Sequence, residues 1–253
     1  MNRKKRRRKS KSAAMYIPAG VLLILVLLVL GTGVFLRVIN IEVTGAAKYS
    51  HEEIILASGI TKGDNMLFLE SDSAARRIRM AMPYISEVEI QTVLPDTVRI
   101  TVRESKAVAA IAQPNGALLI DSSGRVLSKA ETIKNELIEI RGFIPAEAEV
   151  GSRLRAASGS ETQLISMTDV LAAFGRGDIL DSVSYLDVTH IATISFGYIG
   201  RFTVILGGSG DADHKLSQLP GIVGMIDEER TKSATGVINM SDPSGEWRFN
   251  PDW

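Results

Sequence analysis

Residues 87–103 read Glu87-Val88-Glu89-Ile90-Gln91-Thr92-Val93-Leu94-Pro95-Asp96-Thr97-Val98-Arg99-Ile100-Thr101-Val102-Arg103. Val88 and Ile90 alternate with Glu87, Glu89 and Gln91, and Val98, Ile100 and Val102 alternate with Arg99, Thr101 and Arg103. Both arms therefore carry the period of two that marks a half-buried strand. Leu94-Pro95-Asp96 between them is turn chemistry. A three-residue loop keeps the parities matched, setting Val93 opposite Thr97 and Glu87 opposite Arg103. Acids of one arm then share a face with arginines of the other, a pairing that helps modestly. The stretch is expected to form an antiparallel hairpin.

Working upstream, Val38-Ile39-Asn40-Ile41-Glu42-Val43 reads as a short strand ended by Gly45. Ser50-His51-Glu52-Glu53 has the spacing of a capping box, Ile54, Ile55 and Ala57 supply an apolar face, and Gly59 is a natural stop. A second helix is expected over Asp72–Ala81, with Ala74, Ala75, Ile78 and Met82 at helical spacing and Pro83 beyond. The order strand–helix–helix–strand–strand thus occupies residues 37–104.

Further upstream the composition changes. The 253 residues carry 29 Lys/Arg and 29 Asp/Glu, but eight of the bases lie within residues 1–11, so the remainder holds 21 bases against 29 acids. Ala13–Leu36 then runs 24 residues without a charge. As a helix it reaches about 36 Å, enough to cross a hydrocarbon core of about 30 Å. The flanking bases set residues 1–12 in the cytoplasm and the bulk of the chain outside. A cleaved signal peptide and a nucleic-acid-binding basic arm are the competing readings. The apolar run is long for a signal peptide and Gly31-Thr32-Gly33 is a poor cleavage site. A basic run directly before an apolar one more simply sets topology and touches anionic lipid.

Downstream, residues 105–241 read as a mixed sheet with two helices. Ala107–Ile111, Ala117–Ile120 and Val126–Leu127 are short strands separated by Pro114-Asn115-Gly116 and Asp121-Ser122-Ser123-Gly124, and Leu137–Ile140 is another. A helix starts near Ser160, with Leu164, Met167, Leu171 and Phe174 as its buried stripe and Gly175 past its end. Val183–Val188, Ile191–Phe196 and Phe202–Leu206 read as three successive antiparallel strands. Asp213–Glu229 is helical in pattern, Pro220 calling for a late start or a kink. Val237–Met240 is the terminal strand and residues 242–253 a tail.

Catalytic chemistry finds little support. The absence of cysteine excludes thiol catalysis and Cys-ligated metals, and three histidines (His51, His190, His214) leave little for a multi-His site. His51-Glu52-Glu53 lacks the second His of a zinc-protease helix, Gly207-Gly208-Ser209-Gly210 is neither a nucleophile elbow nor a phosphate loop, and no Lys follows a Ser or Thr by three residues. Asp211-Ala212-Asp213-His214 suits a helix start or a cation. No metal and no cofactor are expected. What remains is binding surface. The last strand of a sheet is often an edge, whose open backbone invites strand addition. Both tryptophans of the chain and a phenylalanine fall within Glu246–Trp253. Those rings either anchor a partner or fold back over their own sheet.

The upstream half, directly after an apolar helix, resembles a POTRA domain, and the whole chain resembles the FtsQ/DivIB cell-division proteins. The resemblance rests on Ile41-Glu42-Val43-Thr44-Gly45, Glu53-Ile54, Gly63-Asp64-Asn65-Met66-Leu67, Pro83-Tyr84-Ile85, Leu94-Pro95-Asp96-Thr97-Val98 and Ile100-x-Val102-x-Glu104. Downstream it rests on Ile120-Asp121-x-x-Gly124-Arg125-Val126-Leu127, Val204-Ile205-Leu206-Gly207, Lys215-Leu216 and Val237-Ile238-Asn239-Met240-Ser241-Asp242-Pro243. Thr92, Leu94 and Ser105 depart from the usual pattern, which has Arg, an aromatic and Arg at those places. The expected fold is α+β: a transmembrane helix, a POTRA-like β-α-α-β-β domain and a β-rich mixed-sheet domain with two helices. The resemblance implies a non-enzymatic divisome scaffold at the septal membrane. It would bind DivIC/FtsB-like and FtsL-like single-span coiled-coil proteins and, through them, help control septal peptidoglycan synthesis. Partner contacts are expected at Ile238, Asn239 and Met240, and at Trp247, Arg248 and Phe249. An anchored cell-wall hydrolase and a POTRA-type transport chaperone are the alternatives.

Overall fold

A computed structural model describes residues 18–26, 36–133, 136–242 and 244–252. These fall into two compact units, Met1–Ile78 with Glu87–Arg103, and Arg79–Ser86 with Glu104–Trp253. Of the expected span Ala13–Leu36, residues 18–26 are helical and Leu36 is described four residues before β1; the rest lies outside the described residues. Among the described residues no helix is long and apolar enough to cross a membrane.

The first unit is built on a three-stranded sheet in the order β1-β3-β2, from β1 (Asn40–Thr44), β2 (Ile85–Val93) and β3 (Thr97–Glu104). The period-two hairpin forms as its sequence dictates, and Glu87 meets Arg103 at 3.4 Å across it. Both side chains are exposed, so this pair adds little stability. β1 runs parallel to β3, bringing Val43 beside Ile100, and Val43, Val98, Ile100 and Val102 are all buried. Helix α1 (His51–Ser58) starts on the expected capping box: the Glu53 amide donates to Ser50 Oγ at 3.2 Å and the Ser50 amide to Glu53 Oε2 at 2.8 Å. It ends on Gly59 in the left-handed region at φ 68°. Helix α2 (Ser71–Ala81) buries Ala74, Ala75 and Ile78. Its Arg77 guanidinium donates to the Ser58 carbonyl at 2.9 Å through Nε, placing a cation on the last turn of α1 where the helix dipole favours one.

The second unit holds a nine-stranded mixed sheet in the order β12-β11-β10-β9-β8-β7-β4-β5-β6. Its strands are β4 (Ala109–Gln113), β5 (Gly116–Ile120), β6 (Val126–Ala130), β7 (Ile138–Arg141), β8 (Val183–Asp187), β9 (Ile194–Tyr198), β10 (Phe202–Gly207), β11 (Gly236–Asn239) and β12 (Arg248–Pro251). The β5–β6 turn is held by Asp121, whose buried Oδ1 accepts the Ser123 amide, the Ser123 hydroxyl and the Arg125 amide at 2.9, 2.7 and 3.0 Å. A carboxylate so satisfied can stay inside. Helices α3 (Glu161–Arg176) and α4 (Ala212–Glu229) share one buried cluster with the strands, through Met167, Leu171 and Phe174 of α3 and Leu216, Leu219, Ile222 and Ile226 of α4.

Four expectations are corrected here. Helix α3 runs through Gly175 and is followed by Gly177. Of the late start or kink expected at Pro220, the late start is not taken, since helix α4 begins at Ala212 with Pro220 inside it. Strand β9 begins at Ile194, because residues 191–193 belong to the preceding turn and Ile191 is 40% exposed. The fourth correction bears on function. Val237–Met240 is not the sheet edge, since β11 pairs in parallel with β10 and antiparallel with β12. The supposed tail contributes the outermost strand.

Candidate functional site

The carboxyl end of the second unit is shaped by a chain reversal written in short polar residues. Asn239 Oδ1 accepts the Ser241 amide at 2.9 Å and its hydroxyl at 2.8 Å. Three residues on, Asp242 Oδ1 does the same for Ser244 at 2.9 and 2.7 Å. Two successive side-chain turns of this kind, followed by Gly245 at φ 83°, lead the chain back along β11. The returning strand sets Phe249 beside Ile238 and Asn250 beside Val237.

Backbone polarity along β12 follows from one bond. The Asp252 amide donates to the Thr235 carbonyl at 3.0 Å. Antiparallel residues alternate between facing the partner strand and facing away. Arg248 and Asn250 therefore turn their amides and carbonyls to β11, while Phe249 turns its own outward. Pro251 occupies another outward position, where its missing N–H costs nothing. Among the described residues β12 ends the sheet, so the Phe249 N–H and C=O are the open backbone pair at this edge.

Side chains hold β12 in place. The Phe249 ring meets Phe202 edge-on at 5.9 Å, and the Arg230 guanidinium lies 5.5 Å from its centroid. Trp247 packs half-buried against the same core. Beneath, Arg201 donates to the Ala234 carbonyl at 3.0 Å and to Asp227 Oδ1 at 2.6 Å, tying the end of α4 to the loop that enters β11. Its hydrogen bond holds the Asp227 carboxyl below the ordinary 3.8. A depressed carboxyl stabilises the fold above its unfolded value, and that contribution disappears as pH falls through the folded value. Stability followed by urea midpoint from neutral to acid pH is thus expected to decline less steeply in Asp227→Asn than in the parent; equal slopes would count against the pair.

Of the six residues expected to contact a partner, Ile238 and Met240 are buried and Asn239 spends its side-chain oxygen on the turn. Trp247 and Phe249 are half-buried, and Arg248 is exposed. The structure brings Arg248 and Phe249 to the edge and withdraws the other strand inside. The sequence reading missed Asn250 and Pro251 as strand, Arg230 against Phe249, and Gly236. A conformational signal for β12 existed in the paired Asn/Asp-x-Ser spacing.

Other candidates do not assemble. Asp213 forms a two-pronged pair with Arg176, both distances 2.8 Å, and Asp211 makes no side-chain cap on α4. Among the described residues no group of three His, Cys, Asp or Glu could hold a metal ion. An open groove of about 720 Å³ in the first unit runs beside Ile41, Ile55, Leu56 and Ile60.

Residues 36–105 match the family described as POTRA domain, FtsQ-type. Over 240 residues, 94% of this chain and 90% of the relative, the sequence is 30% identical to the cell division protein DivIB of Clostridium botulinum strain Hall. The chain belongs to the FtsQ/DivIB family. A further relative is the cell division protein FtsQ of Anaeromyxobacter sp. strain K, 25% identical over 98% of this chain and 83% of its own length. Another is DivIB of Clostridium tetani strain Massachusetts, 26% identical over 82% and 77%. These FtsQ/DivIB relatives carry the name of cell division proteins rather than of enzymes. Residues 36–105 thus form an FtsQ-type POTRA domain, and the nine-stranded mixed sheet follows it in the chain.

Proposed function

We propose that this FtsQ/DivIB chain is a non-catalytic scaffold of the divisome, anchored through Ala13–Leu36 with both domains outside the cytoplasm. It captures extended segments of DivIC/FtsB-like and FtsL-like single-span coiled-coil proteins and so helps control septal wall synthesis. The observation that supports this reading is the outer side of β12, which no strand covers among the described residues. A partner strand laid there gains the outward Phe249 N–H and C=O, with the exposed Arg248 and the half-buried Trp247 as side-chain anchors. The proposed contact therefore moves from Val237–Met240 to Arg248–Pro251.

The test compares two substitutions at one position. Phe249→Ala removes the ring and keeps the amide; Phe249→Pro also removes the outward donor and sets a ring against an incoming strand. A lost hydrogen bond costs about 0.5–1.5 kcal/mol net, and the steric block adds to it. Capture of the coiled-coil partners is expected to fall at least about tenfold further in the proline variant than in the alanine variant. Equal capture by the two would remove the strand-addition reading.

A further inference from the structure

The arrival point of the chain at the POTRA domain is ringed by apolar side chains that the domain does not use. The Leu36 carbonyl accepts the Met66 amide at 2.9 Å, and Arg37 bridges to Asn65. Val38 exchanges bonds with the same loop, its amide donating to Asp64 at 2.9 Å and its carbonyl accepting from Gly63 at 2.8 Å. On the other flank the Ile39 amide donates to the Asp96 carbonyl at 2.8 Å, which ties in the turn of the β2–β3 hairpin. Residues 36–39 are thus clamped between a loop over 63–66 and a turn over 94–96.

Each of these three segments presents an exposed hydrophobe: Ile39 is 56% exposed, Leu67 57%, Phe68 81% and Leu94 68%. Met66, the first residue of the short 3-10 turn Met66–Phe68, is buried and fixes Leu67 and Phe68 in their outward course. Scattered surface hydrophobes need no explanation, but several converging from separate segments on one end mark a contact. Two acids nearby are engaged, Asp64 by the Thr61 amide and hydroxyl at 2.8 and 3.0 Å and Asp96 by the Thr97 hydroxyl at 2.9 Å, while Glu70 is exposed two residues past Phe68. Lys62 is exposed on the same loop.

We propose that this rim seats in the interfacial layer of the bilayer, Phe68 and Leu67 leading with Leu94 and Ile39 beside them. The occupant is a lipid surface because the rim surrounds Leu36, the residue at which 24 uncharged residues end in the sequence. Aromatic and aliphatic side chains at headgroup depth are favourable, with Lys62 and Arg37 at the level of lipid phosphates. A single helix leaves its domain free to swivel. A second foothold fixes which face of the POTRA domain meets the membrane and which is offered to other proteins. The inference rests on the anchored reading of Ala13–Leu36.

The chain has no cysteine, so one introduced thiol carries one label. The full chain is reconstituted in vesicles of phosphatidylcholine and phosphatidylglycerol with an environment-sensitive fluorophore on Phe68→Cys, or on Thr101→Cys as the control. Thr101 is exposed and lies four residues along β3 from Thr97, about 13 Å from the rim end. Expected is a blue-shifted emission at position 68 with severalfold stronger quenching by lipid bearing a shallow nitroxide than at position 101. Emission at 68 as water-like as at 101 overturns the proposal, and so does a blue shift that the nitroxide lipid leaves unquenched, since protein would then cover the site. Extraction of the unlabelled chain by alkaline carbonate would defeat the anchor reading and this inference together. Retention with a water-like label defeats the inference alone.

Discussion

Gly236→Val is expected to detach β12 from the sheet, leave the remaining eight strands of the second unit folded, and abolish partner capture. Gly236 sits at φ 153°, and a Cβ there would collide with the Asn250 carbonyl oxygen and come within 2.8 Å of Pro251 Cα and 2.9 Å of the Phe249 ring. Backbone strain of this kind costs about 1–3 kcal/mol and overpacking about as much again. Against this, β12 offers a few ladder hydrogen bonds at about 1 kcal/mol each and one half-buried ring worth less than about 3 kcal/mol. On the other side β11 is held more firmly: Ile238 is fully buried, the Met240 amide donates to the Ile205 carbonyl of β10 at 2.8 Å and the Gly236 amide to the Arg201 carbonyl just before it at 3.2 Å. The weaker side yields. Amide exchange is expected to speed up at Arg248, Asn250 and Asp252 with little change at Val204 or Ile205. Emission from Trp247 is expected to shift to the red as its ring enters water. Partner capture that survives this detachment would return the docking edge to β11 and end the proposal for β12.

That β11 was read as the edge and β12 as a tail shows where local sequence stops being informative. The β2–β3 hairpin was legible because both faces are written in alternate residues over long arms, and α1 because Ser50 and Glu53 spell both ends of one cap. Strand β12 is only four residues, Arg-Phe-Asn-Pro, too short for its alternation to stand out and closed by a proline. Each of those features argues against a strand until the neighbour on one side is known. The order of the sheet is a further loss. β7 lies between β4 and β8, parallel to both, and nothing in Ile138–Arg141 names its neighbours, because pairing is decided by the long-range core. Side-chain roles were misassigned for the same reason. Asn239 looked like a binding residue when its polar atom was read alone; with Ser241 beside it, the atom closes a turn. Ile191 looks like the start of a strand because it is apolar, yet the ladder to β8 begins only at Ser195 and that to β10 at Ile194. The POTRA-type half was read more fully because its cues are local, whereas the site lies where strands from distant sequence meet.

The second large effect belongs to the core that presents the edge. Phe196 on β9 and Phe174 on α3 are fully buried and meet edge-on at 4.9 Å, with Tyr198 6.5 Å from Phe196 on its other side. Phe196→Ala is expected to cost about 3–5 kcal/mol, the transfer loss plus the cavity left where sheet and helix cannot close together. The lost ring pair is part of that cost, worth about 0.5–1.5 kcal/mol in its own right. For a unit of this size each kcal/mol moves the midpoint by about 2–4 °C, so the second unit is expected to melt on the order of 10 °C earlier. The POTRA domain, with its own buried set of Val43, Ile54, Ile78, Val98 and Ile100, is expected to keep its transition. Calorimetry of the wild type and variant distinguishes the outcomes, because a two-unit chain need not melt as one. A single transition shifting as a whole would mean that the two units unfold cooperatively. Lowered capture in Phe196→Ala, recovered on cooling below the variant's midpoint, would separate this indirect loss from that of Gly236→Val. There the sheet stays intact and only its outer strand is gone. Stability and docking then part cleanly: β9 and α3 keep the sheet, and Gly236 keeps β12 on its edge.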